Sequence, residues 1–344
     1  MNSSSSQTKK PRLKRFLQNT ALFFGAFALC LVGFEVALRI AGYGNVEIYE
    51  PDPVVYWKLK PNQKCYTKID RKPVHINSQG TRGREFTVAK QPNTIRIVSL
   101  GDSKTFGWGL TEAETYSGLL EKLLQERAGP NRKVEVINAG VNAYSYPQMH
   151  AYFKNVALKY SPDMVIIGDA NLWTQFSDSN SREFVKKFMM RVQLKNFLRR
   201  FAMYHYVIEV KLKQVYERQR VKFIPVDPKQ DTLFKEQQAK DPDAFFRNSI
   251  EQLCGLAVSN GVKPVLLYMP VLTTLQQPPQ SNSVWRTKTL VSQKLDVAFV
   301  DTISELAPKA EALYLDADPV HFNAVGNEII ARKLFATVSK ILIP

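Results

Sequence analysis

Two short stretches of this chain carry residues able to do acyl-transfer chemistry. In Leu100-Gly101-Asp102-Ser103-Lys104-Thr105-Phe106-Gly107, a serine directly follows an apolar run. A serine at a strand-to-helix turn projects its hydroxyl from the carboxyl edge of a sheet. Its own N–H then lies at a helix start, where developing negative charge is favoured. Near the C-terminus, Asp316-Ala317-Asp318-Pro319-Val320-His321-Phe322-Asn323 places a carboxylate three residues before an imidazole. Pro319 favours an extended Asp318, and from there the carboxylate can orient the ring and aim its far nitrogen at a nucleophile.

Each stretch alone has an ordinary explanation, since Gly-Asp-Ser is common turn chemistry and a histidine beside a helix cap is unremarkable. Their combination is specific because the surrounding elements bring both to one edge. Apolar runs at Ile95–Leu100, Val134–Asn138, Met164–Gly168, Val265–Met269 and Val297–Val300 read as short buried strands. Between them lie helical faces, one with Tyr116, Leu119, Leu120, Leu123 and Leu124, another with Met149, Tyr152, Phe153, Val156 and Tyr160. A final helix starts after the N-cap Asn323, with Val325, Ile329, Ile330 and Leu334 facing inward. The fold class is α/β, a doubly wound, flavodoxin-like parallel sheet of five strands, whose chemistry belongs at the carboxyl ends. An α/β-hydrolase is less apt, because its nucleophile elbow reads GxSxG and position 105 is Thr.

Histidine is the usual acid–base group near neutral pH, and the chain has only four. His75, His150 and His205 lack a nearby carboxylate or metal-spaced partner in sequence and receive no role. Cys30, Cys65 and Cys254 show no metal spacing, and a Cys65–Cys254 bridge is not expected.

The N-terminus is basic (Lys9, Lys10, Arg12, Lys14, Arg15), and no charge occurs from Phe16 to Phe34. The expected organisation is a basic tail over 1–15, a transmembrane anchor over 16–41, a Pro-punctuated arm over 42–93 and the catalytic domain over 94–344. The run exceeds a typical signal-peptide core, so an uncleaved span is preferred, with Glu35 at the interface. The positive-inside rule puts the N-terminus in the cytoplasm and the domain outside, in a periplasm or at the cell surface. A helical insertion is expected over 178–245. Its segment Ser181–Lys222 holds twelve Lys/Arg against three Glu, net +9 of the chain's +16. A solvated helix face is the plainer reading; contact with anionic lipid or glycan is the functional one. Nucleic acid is not expected as a partner.

The order of motifs resembles the SGNH/GDSL hydrolase superfamily over roughly 94–340. The resemblance implies Ser103 as nucleophile, His321 as base and Asp318 as its orienting carboxylate. It implies an oxyanion hole of the Ser103 N–H, the Gly140 N–H from Val136-Ile137-Asn138-Ala139-Gly140-Val141-Asn142, and the Asn171 amide. No metal or cofactor is implied. The third block departs from Gly-x-Asn-Asp: Asp169 stands for the glycine and Leu172 for the aspartate. Lys104 is read as pointing to solvent, with an anionic substrate as its alternative partner. The single span and the Ile76-Asn77-Ser78-Gln79-Gly80-Thr81-Arg82-Gly83 arm are similar to bacterial membrane-anchored members linked to surface polysaccharide. The expected activity is a serine esterase or deacylase acting on acyl, first of all acetyl, esters of a surface carbohydrate, lipid or other ester-bearing small molecule. O-acyl transfer in polysaccharide modification and non-catalytic glycan binding are the alternatives.

Overall fold

A computed structural model describes residues 10–46, 49–67, 71–170, 180–212, 215, 242–275, 277–316 and 318–343. Helix α1 (Lys10–Ile40) is long and apolar enough to cross a bilayer, and fits a single-pass anchor or a signal sequence. Two antiparallel hairpins follow, β1 (Tyr49–Asp52) with β2 (Tyr56–Leu59), and β3 (Gln63–Tyr66) with β4 (Pro73–Ile76).

The core is a parallel sheet of β5 (Thr94–Gly101), β6 (Lys133–Gly140), β7 (Met164–Ile167), β8 (Lys263–Tyr268) and β9 (Ala298–Asp301), in the order β6-β5-β7-β8-β9. Each strand lies within two residues of its expected bounds, because strands buried on both faces read as near-continuous apolar runs. Alternate residues feed opposite layers. Val98, Leu100, Val165 and Ile167 pack toward one face, Ile97, Met164 and Ile166 toward the other.

A four-residue helix α2 (Ser103–Phe106) leaves β5, and α3 (Tyr116–Ala128) and α4 (Tyr146–Asn155) return the chain to β6 and β7. The insertion begins with α5 (Asn180–Leu198). Helix α6 (Pro242–Ser259) already belongs to the core, burying Ile250, Leu253 and Ala257. Helices α7 (Ser283–Leu295) and α8 (Ala324–Leu342) complete the layers. Asn323 caps α8 by accepting the N–H groups of Val325 and Gly326. The inward face differs from expectation at Val325, which is exposed. Gly326, Ile330, Leu334 and Val338 form the buried stripe, since Gly326 packs tightly under Leu313 and Phe322.

Candidate active site

Ser103 opens α2 at the carboxyl end of β5. Its turn is built by close approach: a Cβ on Gly101 would stand 1.9 Å from Thr105 Oγ1, and one on Gly140 would stand 2.2 Å from the Phe106 nitrogen. Asp102 caps the turn through the Lys104 N–H, 2.9 Å. The carbonyls at the far end, which a short helix leaves without intrahelical partners, meet the buried Arg82. Its guanidinium donates to Phe106 O at 2.7 Å and Gly107 O at 2.6 Å, and also to Leu110 O. Asn138 adds a bond to Thr105 O at 2.9 Å. Arg82 thus makes the arm a brace for the serine turn, a task its sequence context did not reveal.

The loop before α8 is folded back as a small ladder. Leu315 N–H donates to His321 O at 2.9 Å, and Asn323 N–H to Leu313 O at 2.9 Å. Asp318 Oδ1 accepts the N–H groups of Val320 and His321, at 2.9 and 3.1 Å. Its other oxygen meets His321 Nδ1 at 2.6 Å, and His321 Nε2 lies 2.7 Å from Ser103 Oγ. These three residues, 218 positions apart at their extremes, form one line. Burial raises the Asp318 carboxyl, but the His321 ring and the two N–H groups outweigh it, so it sits below the usual aspartate range. Trp108 stacks on the His321 ring, centroids 5.8 Å apart.

Ser103 and His321 border a cleft of about 420 Å³, within the size range of small-molecule sites. One wall is apolar, with Met269, Pro270, Val271 and Val284. The other holds a buried ion cluster. Lys104 does not point to solvent: its side chain is 8% exposed, and Nζ donates to Asp169 Oδ2 and Met269 O, both at 2.8 Å. Lys288, entirely buried, donates to Asp169 Oδ1 at 2.6 Å, to Gly168 O at 3.1 Å and to Leu267 O. Asp169 Oδ2 also accepts the Met269 N–H at 2.9 Å. The residue that breaks the third motif block therefore binds the ends of β7 and β8 to the serine turn and to α7.

Burial raises the Asp169 carboxyl, and the two ammonium groups more than reverse this, holding it low. Burial lowers Lys104, yet Asp169 and Asp102 bring it above its ordinary value. Burial prevails for Lys288, which is lowered, and for Asp102, which is raised. Lys288 gave no signal in sequence, since a lysine in an amphipathic helix normally faces water.

Of the expected oxyanion groups, Gly140 stands at the end of β6, against α2. Its N–H donates to Asn138 Oδ1 at 3.1 Å, and its missing side chain admits the α2 backbone. Asn171 lies outside the described residues. Among the described residues no cluster of His, Cys, Asp and Glu could hold a metal ion. Cys30, Cys65 and Cys254 are free thiols.

The family model of the GDSL-like lipases and acylhydrolases matches residues 99–329. No curated protein matches the chain. Similar solved structures include TesA, 14% identical, covering 72% of this chain and 99% of its own, with a TM-score of 0.46. A lipase/acylhydrolase from Enterococcus faecalis is 15% identical, covers 73% and 98%, and has a TM-score of 0.46. A point mutant of Axe2, an acetyl-xylooligosaccharide esterase from Geobacillus, is 15% identical, covers 70% and 93%, and has a TM-score of 0.43.

Proposed function

This chain belongs to the GDSL-like lipase/acylhydrolase family, and from that premise we propose that it is a membrane-anchored serine esterase that removes short acyl groups, acetyl first, from esters of a cell-surface carbohydrate or lipid. The observation that carries this reading is the hydrogen-bonded line Asp318–His321–Ser103, at 2.6 and 2.7 Å, on the lip of the cleft.

His321 Nε2 takes the Ser103 proton as Oγ attacks the ester carbonyl, forming a tetrahedral oxyanion. Asp318 holds Nδ1–H toward itself and stabilises the imidazolium that results. The Ser103 N–H and the Asn171 amide stabilise the oxyanion. Collapse expels the alcohol, which receives the proton from His321. Water then adds to the acyl-serine by the same base, releasing the acid and restoring Ser103. The basic N-terminal flank and apolar α1 support an anchor with its N-terminus in the cytoplasm and its catalytic domain outside.

Fluorophosphonate labelling and p-nitrophenyl acetate hydrolysis, on full-length protein in detergent, test this reading. Wild type should label and turn over, while folded Ser103→Ala and His321→Ala should do neither. Labelling that survives in Ser103→Ala would refute it.

A further inference from the structure

The insertion is joined to the outer end of α1 at several points. Glu35, in the last turns of α1, accepts the N–H groups of Ala202 and Met203 at 2.9 and 3.0 Å. Arg39 donates to Arg200 O. Just past α1, the Gly44 N–H donates to the buried His205 Nδ1 at 3.0 Å, and Tyr43 packs edge-on against Tyr206, centroids 4.9 Å apart. Gly44 has φ +88, and a Cβ there would meet Ala202 Cα at 3.0 Å, so the contact requires glycine. Glu35, which also pairs with Arg39 one turn on at 2.8 Å, and His205 are thus two halves of one joint.

The uncharged run Phe16–Phe34 spans roughly 28 Å at 1.5 Å per residue, close to the hydrocarbon thickness of a bilayer. The joint at Glu35 must then lie where hydrocarbon gives way to head groups. The elements that meet at the joint also expose apolar side chains. On α5, Met190, Leu194 and Phe197 recur at helical spacing on one side and are 61, 58 and 52% exposed; Val207, Ile208 and Leu212, just past the joint in the chain, are exposed as well. Lys186, Arg191, Lys195, Arg200 and Lys211 are interspersed and also outside the core. An apolar side flanked by cations, continuous with a span, fits an anionic lipid surface.

We infer that α5 and the segment through Leu212 lie in the interface of the membrane that receives α1, sinking Leu194, Phe197 and Ile208 among the head groups and fixing the catalytic domain against rotation about its anchor. This rests on α1 as a span. The chain's own Cys30, exposed on α1, tests that premise separately.

Full-length protein reconstituted in phosphatidylethanolamine/phosphatidylglycerol vesicles would carry the fluorophore NBD at Cys30, or, in a Cys30→Ala background, at Leu194→Cys, Phe197→Cys or Leu290→Cys. Cys65 and Cys254 are buried and do not compete. Leu290, exposed on α7, is the aqueous reference. Circular dichroism melts select folded variants, and either of the two α5 positions suffices. The expected result is at least twofold quenching of the α5 probes by shallow spin-labelled lipid, with weak quenching by aqueous iodide, and the reverse at Leu290. Iodide quenching at α5 equal to that at Leu290, with Cys30 still quenched by lipid, would overturn the inference and leave the span intact. Shielding of α5 from both quenchers would overturn it in favour of a protein contact. A Cys30 probe untouched by lipid would overturn span and inference together.

Discussion

Two buried ion clusters stand at opposite ends of the same sheet, and they differ in what they touch. At the amino end, Arg96 on β5 is completely buried; its guanidinium donates to Glu135 Oε2, Val88 O, Tyr160 O and Thr87 O, and Nη2 also lies 2.7 Å from Glu135 Oε2. At the carboxyl end, Asp169 receives Lys104 and Lys288, and Lys104 borders the cleft beside Ser103. The first cluster touches only framework. The second joins three strand-end loops at the place where a parallel α/β sheet presents its reactive groups. A buried ion pair is therefore not informative by itself; its position along the strand direction decides whether the charge borders the cleft or only framework.

The comparison is broken most forcefully at the serine. Ser103→Ala should reduce ester turnover by on the order of 10⁴-fold or more while leaving the urea midpoint nearly unchanged, because Oγ is engaged with His321 and little else. Asp318→Asn should cost about 10⁴-fold in kcat through loss of the oriented ring. Equal activity in either variant would remove the reading of this end as catalytic.

At the amino end the expectation inverts. Arg96→Met should destabilise the fold by about 3 kcal/mol, since Glu135 keeps only the half-exposed Lys133, 2.7 Å from Oε1, and the buried carbonyls of Val88, Tyr160 and Thr87 lose their donor, whereas turnover per folded molecule should stay within about threefold. The pair Arg96→Met with Glu135→Leu should recover part of the loss, as apolar replacements of buried ion pairs commonly do. Urea melts beside active-site titration separate the two quantities.

Asp169→Asn should move both. It leaves Lys104 and Lys288 facing a neutral amide, so stability should fall by roughly 3 kcal/mol, and kcat should fall more than KM changes, because the loop ends that flank Ser103 lose their common tie. A pure loss of stability with unchanged kcat would make this cluster a second framework pair.

The smallest effect is in pH. Asp318 and Asp169 both sit below the usual aspartate range. Their ionised forms favour the folded state, so their contribution is present above about pH 4 and is lost as pH falls through the depressed values. The urea midpoint should drop as pH is taken from about 5 to about 3, and less steeply in Asp169→Asn. An identical slope in both proteins would deny Asp169 its charge at neutral pH.

Much of this was readable in one dimension. Apolar runs separated by amphipathic helices specify a doubly wound sheet through local burial patterns, and Asp318 and His321 are close enough in the chain to act as one unit. The Asn323 cap and the α1 run are likewise local features. What the residue string could not show is pairing across distance. Arg96 lies inside an apolar run and Lys288 on an ordinary amphipathic helix; only packing reveals that each is wholly buried with a carboxylate. Arg82 likewise braces a turn 24 residues away, and Asp169, which departs from a motif, is the hub of a cluster.

The sequence by itself determined the elements, the sheet, and which serine, histidine and aspartate share an edge, because periodicity and short spacing act through neighbours in the chain. Tertiary structure alone decided that Gly140 serves close packing, that Lys104 turns inward, and that Glu35 and His205 bind the insertion to the anchor. Burial of a charge is tolerated only where a distant partner satisfies it, and the identity of that partner is fixed by the fold.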